Sequence, residues 1–146
     1  MKKILIMGLP GVGKTTLAKH LTQMLVAVHL NADEIRSEIH KDLRFSLQDR
    51  IEHSRRMGVL CDIVVRSGVY AIADFVCPTF ETRKAFGDQY FTIYIDRKPC
   101  RDYPDTTRIF EPPFTHDLLV TEGGSPTIWA EMAAKLILSK QYHYDI

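Results

Sequence analysis

The sequence predicts one α/β domain with a parallel sheet covered by helices on both faces, and three observations predict it. Apolar runs of strand length alternate with helix-period patterns along the chain. The length of 146 residues fits one compact domain spanning 1–146 and leaves no room for a second. A glycine-rich segment follows the first apolar run and opens the first helical pattern.

The apolar runs fall at 3–7, 26–30, 69–73, 91–95 and 118–120, each followed by turn or polar residues. Between them, 15–25 places Leu17, Leu21 and Met24 on one face. The segment 46–67 is long and periodic, and 126–140 carries Ile128, Met132, Leu136 and Ile137 as its apolar side. Such alternation implies right-handed βαβ crossovers, a parallel sheet, and ligand sites at the C-terminal ends of the strands. The longest stretch without a clear period is 97–113.

Composition excludes several classes. With 45% hydrophobic residues, 25% charged residues and 7 Pro, disorder and collagen-like sequences are out. A net charge of +1 argues against a nucleic-acid-coating surface. Cys61, Cys77 and Cys100 are odd in number and lack CxxC spacing, so neither a disulfide framework nor a zinc site is expected. The N-terminal lysines and apolar run superficially suggest a signal peptide, but the run breaks at Gly8 and Pro10. No stretch approaches the roughly 20 apolar residues of a membrane span. A cytoplasmic protein without membrane contact is expected.

Gly8-Leu9-Pro10-Gly11-Val12-Gly13-Lys14-Thr15 matches GxxxxGK[ST] and sits between a strand and a helix, where the mechanism requires it. Glycines permit close backbone approach, so successive N–H groups can point at phosphate oxygens, and the helix adds its positive end. Lys14, read as an exposed loop lysine, would reach the β and γ phosphates, and the Thr15 hydroxyl, followed by Thr16, would bind Mg²⁺. The expected fold is therefore the P-loop NTPase fold, five strands in the order 2-3-1-4-5, with ATP and Mg²⁺ as cofactors. A GTPase switch is the rival from another class, but it would need an NKxD segment, which the chain lacks.

Acidic and basic residues after strands two and three favour a kinase. Asp33 serves either as a helix cap or as the acid that accepts a proton from an acceptor hydroxyl, and the roles are compatible. Asp74 ends an apolar strand in the Walker B manner and would support Mg²⁺, although turns alone also favour Asp. On the long helix, Arg50, His53, Met57, Leu60 and Val64 share one face that turns polar at its start. Arg50 and His53 could there meet an anionic substrate, with surface exposure the alternative for His53. Arg97, Lys98, Arg101 and Arg108 lie where a kinase lid closes, and either Arg101 or Arg108 would neutralise charge on the transferring group.

These residues resemble the adenylylsulfate (APS) kinase family, which transfers phosphate from ATP to the 3′-hydroxyl of APS to make PAPS. GLPGVGKTTLA is similar to GLSGSGKST, LNADEIR to LDGDNVR, KDLRFSLQDRIEHSRR to KDLGFSEEDRxENIRR, DFVCP to SFISP, and IFEPPFTHDLLVTEGGSP to YEAPxxPDLVIDTxxxSP. The resemblance implies Asp33 as the acid near the reacting hydroxyl, Arg36 and Arg50 as substrate-binding arginines, and Phe45 as the aromatic stacked on adenine. It implies that Phe75, Val76, Cys77 and Pro78 line the substrate pocket and that His53 replaces an Asn.

Three further departures stand out: Asn31 replaces the first Asp of DGD, Asp74 the Ser of SF, and Cys77 the second Ser of SFISP. The lid before the EPP motif is also short. The expected partner is a small-molecule acceptor, APS or another alcohol, or less readily a nucleic-acid 5′-hydroxyl. A nucleotide-dependent binding module without transfer is the third alternative, and a homodimer is compatible with the sequence.

Overall fold

A computed structural model describes residues 1–144. Its strands are β1 (Lys3–Met7), β2 (Ala27–Asn31), β3 (Tyr70–Asp74), β4 (Phe91–Ile95) and β5 (Leu118–Val120). Its helices are α1 (Lys14–Met24), α2 (Ala32–Glu38), α3 (Leu47–Arg66), α4 (Phe80–Phe86), α5 (Pro104–Ile109) and α6 (Pro126–Tyr144). All pairings are parallel, as the alternation of elements predicts, and the order is β2-β3-β1-β4-β5, as expected for the P-loop fold.

The sheet is buried from both sides, so β1 and β3 read as unbroken buried runs. Alternation along β1 divides the interior into two layers. Ile4 and Ile6 meet Leu17 and Leu21 of α1 and Ala133 and Ile137 of α6. Leu5 and Met7 face the other way, with Met57 and Cys61 of α3 and Phe86 of α4. Each fully buried aliphatic side chain contributes about 1.5–3 kcal/mol.

Helix α3 presents its small residue where α4 crosses. A Cβ at Gly58 would lie 2.1 Å from the Phe86 carbonyl oxygen, so only glycine admits this approach. The buried face of α3 comprises His53, Ser54, Met57, Gly58 and Cys61, while Leu60 and Val64 are half-buried at its margin. The sequence stripe thus starts correctly and drifts, because 3.6 residues per turn rotates an i+3/i+4 row around the helix.

Two short helices, α4 and α5, were not expected. Thr79 and Thr82 form a reciprocal cap for α4, and Pro104 with Asp105 opens α5 inside the segment that showed no period. With six or seven residues, neither is long enough to display periodicity. No helix among the described residues is long and apolar enough to cross a membrane.

Candidate active site

One cleft of about 640 Å³ opens at the C-terminal ends of β1, β2 and β3. It is lined by Pro10, Gly11, Gly13, Lys14, Thr15 and Thr16 of the glycine-rich loop and α1, and by Ala32, Asp33, Arg36, Phe45, Arg50 and His53 from the α2–α3 region. Asp74, Phe75, Val76, Cys77 and Pro78 at the end of β3 line it too, as do Tyr103 and Thr106. Folding brings the loop, both acids and the substrate-side residues of the sequence reading into one space. Arg101 and Arg108 are not in it: Arg101 is exposed, and Arg108 lines a neighbouring cleft of about 870 Å³ between the start of α3 and α5.

The loop wraps the start of α1. Gly11 and Gly13 hold φ of 77° and 103°, the left-handed region open to glycine, and Gly13 is the residue before the helix. Gly8, Leu9 and Val12 support the loop from below: Val12 is a core residue, Leu9 packs against that core, and a Cβ at Gly8 would strike the Ile95 carbonyl oxygen at 2.7 Å. Lys14 departs from the expectation of an exposed side chain. It is buried, and its Nζ donates to the Leu9 carbonyl at 2.8 Å. Burial pushes its pKa down to about 8, against the opposing pull of Asp74 and Asp33.

Asp74 is buried and collects donors. Thr15 Oγ1 donates to its Oδ1 at 3.1 Å, Asn31 Nδ2 reaches both oxygens, and His29 Nε2 donates to Oδ2. Asn31, not Asp33, caps α2: its side chain accepts from Glu34 N at 2.9 Å. Asp33 is thereby free of the capping role and lies exposed on the cleft wall. A hydroxyl beside a carboxylate suits Mg²⁺, which takes few protein oxygens and keeps water and phosphate ligands. Among the described residues there is no cluster of three or more His, Cys, Asp or Glu that could hold a metal on its own.

The part of the cleft that holds Arg36 and Arg50 is built around Phe45. Ser46 caps α3 by accepting from Asp49 N, and Asp49 accepts from Arg44 N at 2.9 Å, which fixes the turn. Arg56 grips Asp42 through two 2.9 Å bonds and ties the preceding loop to α3. Phe45 is 64% exposed as a residue, and its ring carries the Arg36 guanidinium at 4.5 Å and that of Arg50 at 5.5 Å. Arg50 Nε donates to the Phe45 carbonyl, and its Nη2 reaches Thr106 Oγ1 at 3.4 Å, linking α3 to α5. Burial lowers the pKa of Arg36, with Arg50 adding to the shift.

His53 is buried rather than on the surface. Its Nδ1 pairs with His40 Nδ1 at 2.8 Å, and its Nε2 is buried without a hydrogen bond. Burial, then the Arg36 charge, pushes its pKa down to about 3. Cys77 is also buried, with φ 46° and a thiol pushed up to about 12 by burial.

Sequence reasoning missed His29, Ser54, Tyr103 and Thr106, and saw Asn31 only as a departure from a motif. Asn31 and Glu34 carry the spacing of a helix start, and Tyr103-Pro104-Asp105 carries another, so both signals were present. Nothing local marks His29, whose partner is 45 residues away.

The family model for adenylylsulphate kinase matches residues 2–101. The adenylyl-sulfate kinase of Clostridium kluyveri is 33% identical over 98 residues, 61% of this chain and 49% of that protein. That of Shewanella sp. strain ANA-3 is 40% identical over 81 residues, 52% of this chain and 40% of that protein. The chain spans about half the length of the curated relatives it matches. A solved structure of the Mycobacterium tuberculosis APS kinase, in complex with AMPPNP and APS, shares the fold at a TM-score of 0.81. It is 22% identical, with 93% of this chain and 96% of that chain covered.

Proposed function

The chain belongs to the adenylylsulphate kinase family, and on that premise we propose that it transfers the γ-phosphate of Mg-ATP to the 3′-hydroxyl of adenylylsulfate, giving PAPS and ADP. One observation carries the reading: the phosphate loop, Asp33 and the Arg36–Phe45–Arg50 cluster line a single cleft.

The loop N–H groups and the start of α1 bind the β and γ phosphates, and Lys14 exchanges the Leu9 carbonyl for phosphate oxygen. Thr15 and Asp74 are the residues that would hold Mg²⁺, which when bound neutralises phosphate charge. Phe45 offers its exposed face to a purine, and the two guanidiniums supply charge for a phosphosulfate. Asp33 accepts the proton of the acceptor hydroxyl as its oxygen bonds to phosphorus and ADP leaves. Arg108 lines the neighbouring cleft, which shares Phe45 and Arg50 with this one, and Arg101 follows Cys100, whose backbone N lies 3.8 Å from the place of a Cβ at Gly11, so closure of this segment would bring either arginine to the transferring group.

An ATP-consumption screen with APS, gluconate, shikimate, nucleosides and 5′-hydroxyl oligonucleotides tests the reading. APS-dependent turnover is the expected result. Turnover with another alcohol and none with APS overturns the acceptor while leaving the kinase in place.

A further inference from the structure

Asn31 and Asp74 are register partners on neighbouring strands, and their side chains meet at 3.1 Å and 3.3 Å. The motifs that the chain resembles carry the opposite kinds of group at these two positions, an acid in LDGD and a hydroxyl in SF. Here an amide stands at the acid's position, and an acid at the hydroxyl's. Both departures fall on one spot beside Thr15.

We propose that they form a single compensated exchange: the carboxylate beside the phosphate loop is supplied by β3 instead of β2, and Asn31 and His29 are the positioning residues that hold it. This rests on the phosphotransferase reading of the same site.

Asn31 does what only an amide can do there. Its Oδ1 caps α2 by accepting from Glu34 N, while its Nδ2 donates to Asp74 and to Thr15 Oγ1. An aspartate at position 31 would still cap the helix. It would have no hydrogen to give Asp74, and would set a second carboxylate at hydrogen-bond distance from the first, where two negative charges disfavour each other. Asp74 is 3% exposed and depends on protein donors in place of water. Thr15 and Asn31 supply two of them, and His29 supplies the third at Oδ2 from the edge strand β2. A carboxylate held on both oxygens keeps one orientation toward the Thr15 hydroxyl.

The exchange predicts a sign pattern that independent roles do not. Asn31→Asp and Asp74→Asn each weaken metal binding, and the double variant Asn31→Asp/Asp74→Asn, which transposes amide and carboxylate, recovers it. Mn²⁺ affinity in the presence of a non-hydrolysable ATP analogue, measured by electron paramagnetic resonance, gives the first readout, and the melting temperature of the metal-free protein the second. Each single variant should lose about tenfold or more in Mn²⁺ affinity, the usual effect of disturbing a ligand's support, with the double variant within about threefold of the native protein. His29→Ala should lower Mn²⁺ affinity and His29→Gln restore part of it, whereas a purely structural histidine would move only the melting temperature.

A double variant as weak as the product of the two single losses overturns the exchange, as does an unaltered Asn31→Asp protein. Where Asp74→Asn does not fold, Asp74→Ser takes its place in the pair. If the native protein binds no Mn²⁺ with the nucleotide analogue, the phosphotransferase reading falls. The metal-free melting temperatures then judge the exchange alone, which requires a drop in Asn31→Asp and recovery in the double variant.

Discussion

His40 and His53 face each other across the interior between the end of α2 and the start of α3, with their Nδ1 atoms 2.8 Å apart. One ring must donate and the other accept, so the contact needs at least one neutral imidazole. Arg36 and Arg56 add positive charge around the pair, and burial lowers the pKa of both rings.

Stability should therefore fall in acid. His53 titrates near 6.5 in the unfolded chain and about 3 in the folded one, so below pH 6.5 the unfolded state binds a proton that the folded state refuses. Its contribution declines by about 1.4 kcal/mol per pH unit as pH drops from about 6.5 toward 3. Denaturant titrations across this range should show a shallower decline for His53→Asn, which keeps a polar group without the basic nitrogen. An unchanged slope would remove His53 as the cause.

Lys14→Ala should abolish transfer while the protein still melts cooperatively, because the charged form of this lysine is already disfavoured by burial. Loss of such phosphate stabilisation is worth about 3 kcal/mol or more, roughly a hundredfold in rate. Binding calls on the ammonium form, so in the native protein nucleotide affinity should decline as pH rises above about 8. Near-normal turnover by the variant would contradict the loop's role.

Asp33→Asn and Asp74→Asn should separate the two acids. In the proposed reaction the exposed Asp33 takes the acceptor's proton, so its loss should lower turnover with little change in ATP affinity, whereas loss at Asp74 should raise the Mg²⁺ requirement. Rate measured against Mg²⁺ concentration checks this, and identical profiles would erase the division of labour.

Phe45→Ala should weaken APS affinity by about tenfold to a hundredfold, the 1–3 kcal/mol usual for stacking one base on an aromatic. Arg50→Ala should act on the same ligand and also release α5, because its guanidinium reaches Thr106. Initial rates from micromolar to millimolar APS distinguish these variants, with KM rather than kcat rising first for Phe45→Ala. Phe110, in contrast, stacks on Tyr94 and lines neither cleft, so Phe110→Ala should leave APS affinity unchanged.

Gly58→Ala tests the α3–α4 crossing. Alanine gains about 1 kcal/mol of helix propensity over glycine. Its Cβ would sit 2.1 Å from a backbone oxygen, an overlap no rotamer relieves, and overpacking of this kind costs about 1–3 kcal/mol. Net destabilisation is expected in thermal melts, and a stabilised variant would show that α4 moves freely.

The sequence by itself determined the parallel sheet and the phosphate loop, because these depend on local signals, and the strand order followed from the P-loop fold that the loop motif identifies. Apolar runs at strand length, helix-period faces and glycines next to Lys14 carry their meaning within a few residues. It also supplied Asp33 and Arg50 from their places at a strand end and a helix start, and Arg36 and Phe45 through motif resemblance, and the fold brings all four to one cleft.

Only the tertiary structure decided what each side chain touches. It buried Lys14 against Leu9, paired His53 with His40, and brought His29 to Asp74. It also formed α5 in a segment without period, and set Arg108 beside one cleft while leaving Arg101 outside both. The reason is sequence distance. Burial and long-range donors are properties of neighbours that folding supplies, and the 45 residues between His29 and Asp74 vanish only when β2 pairs with β3.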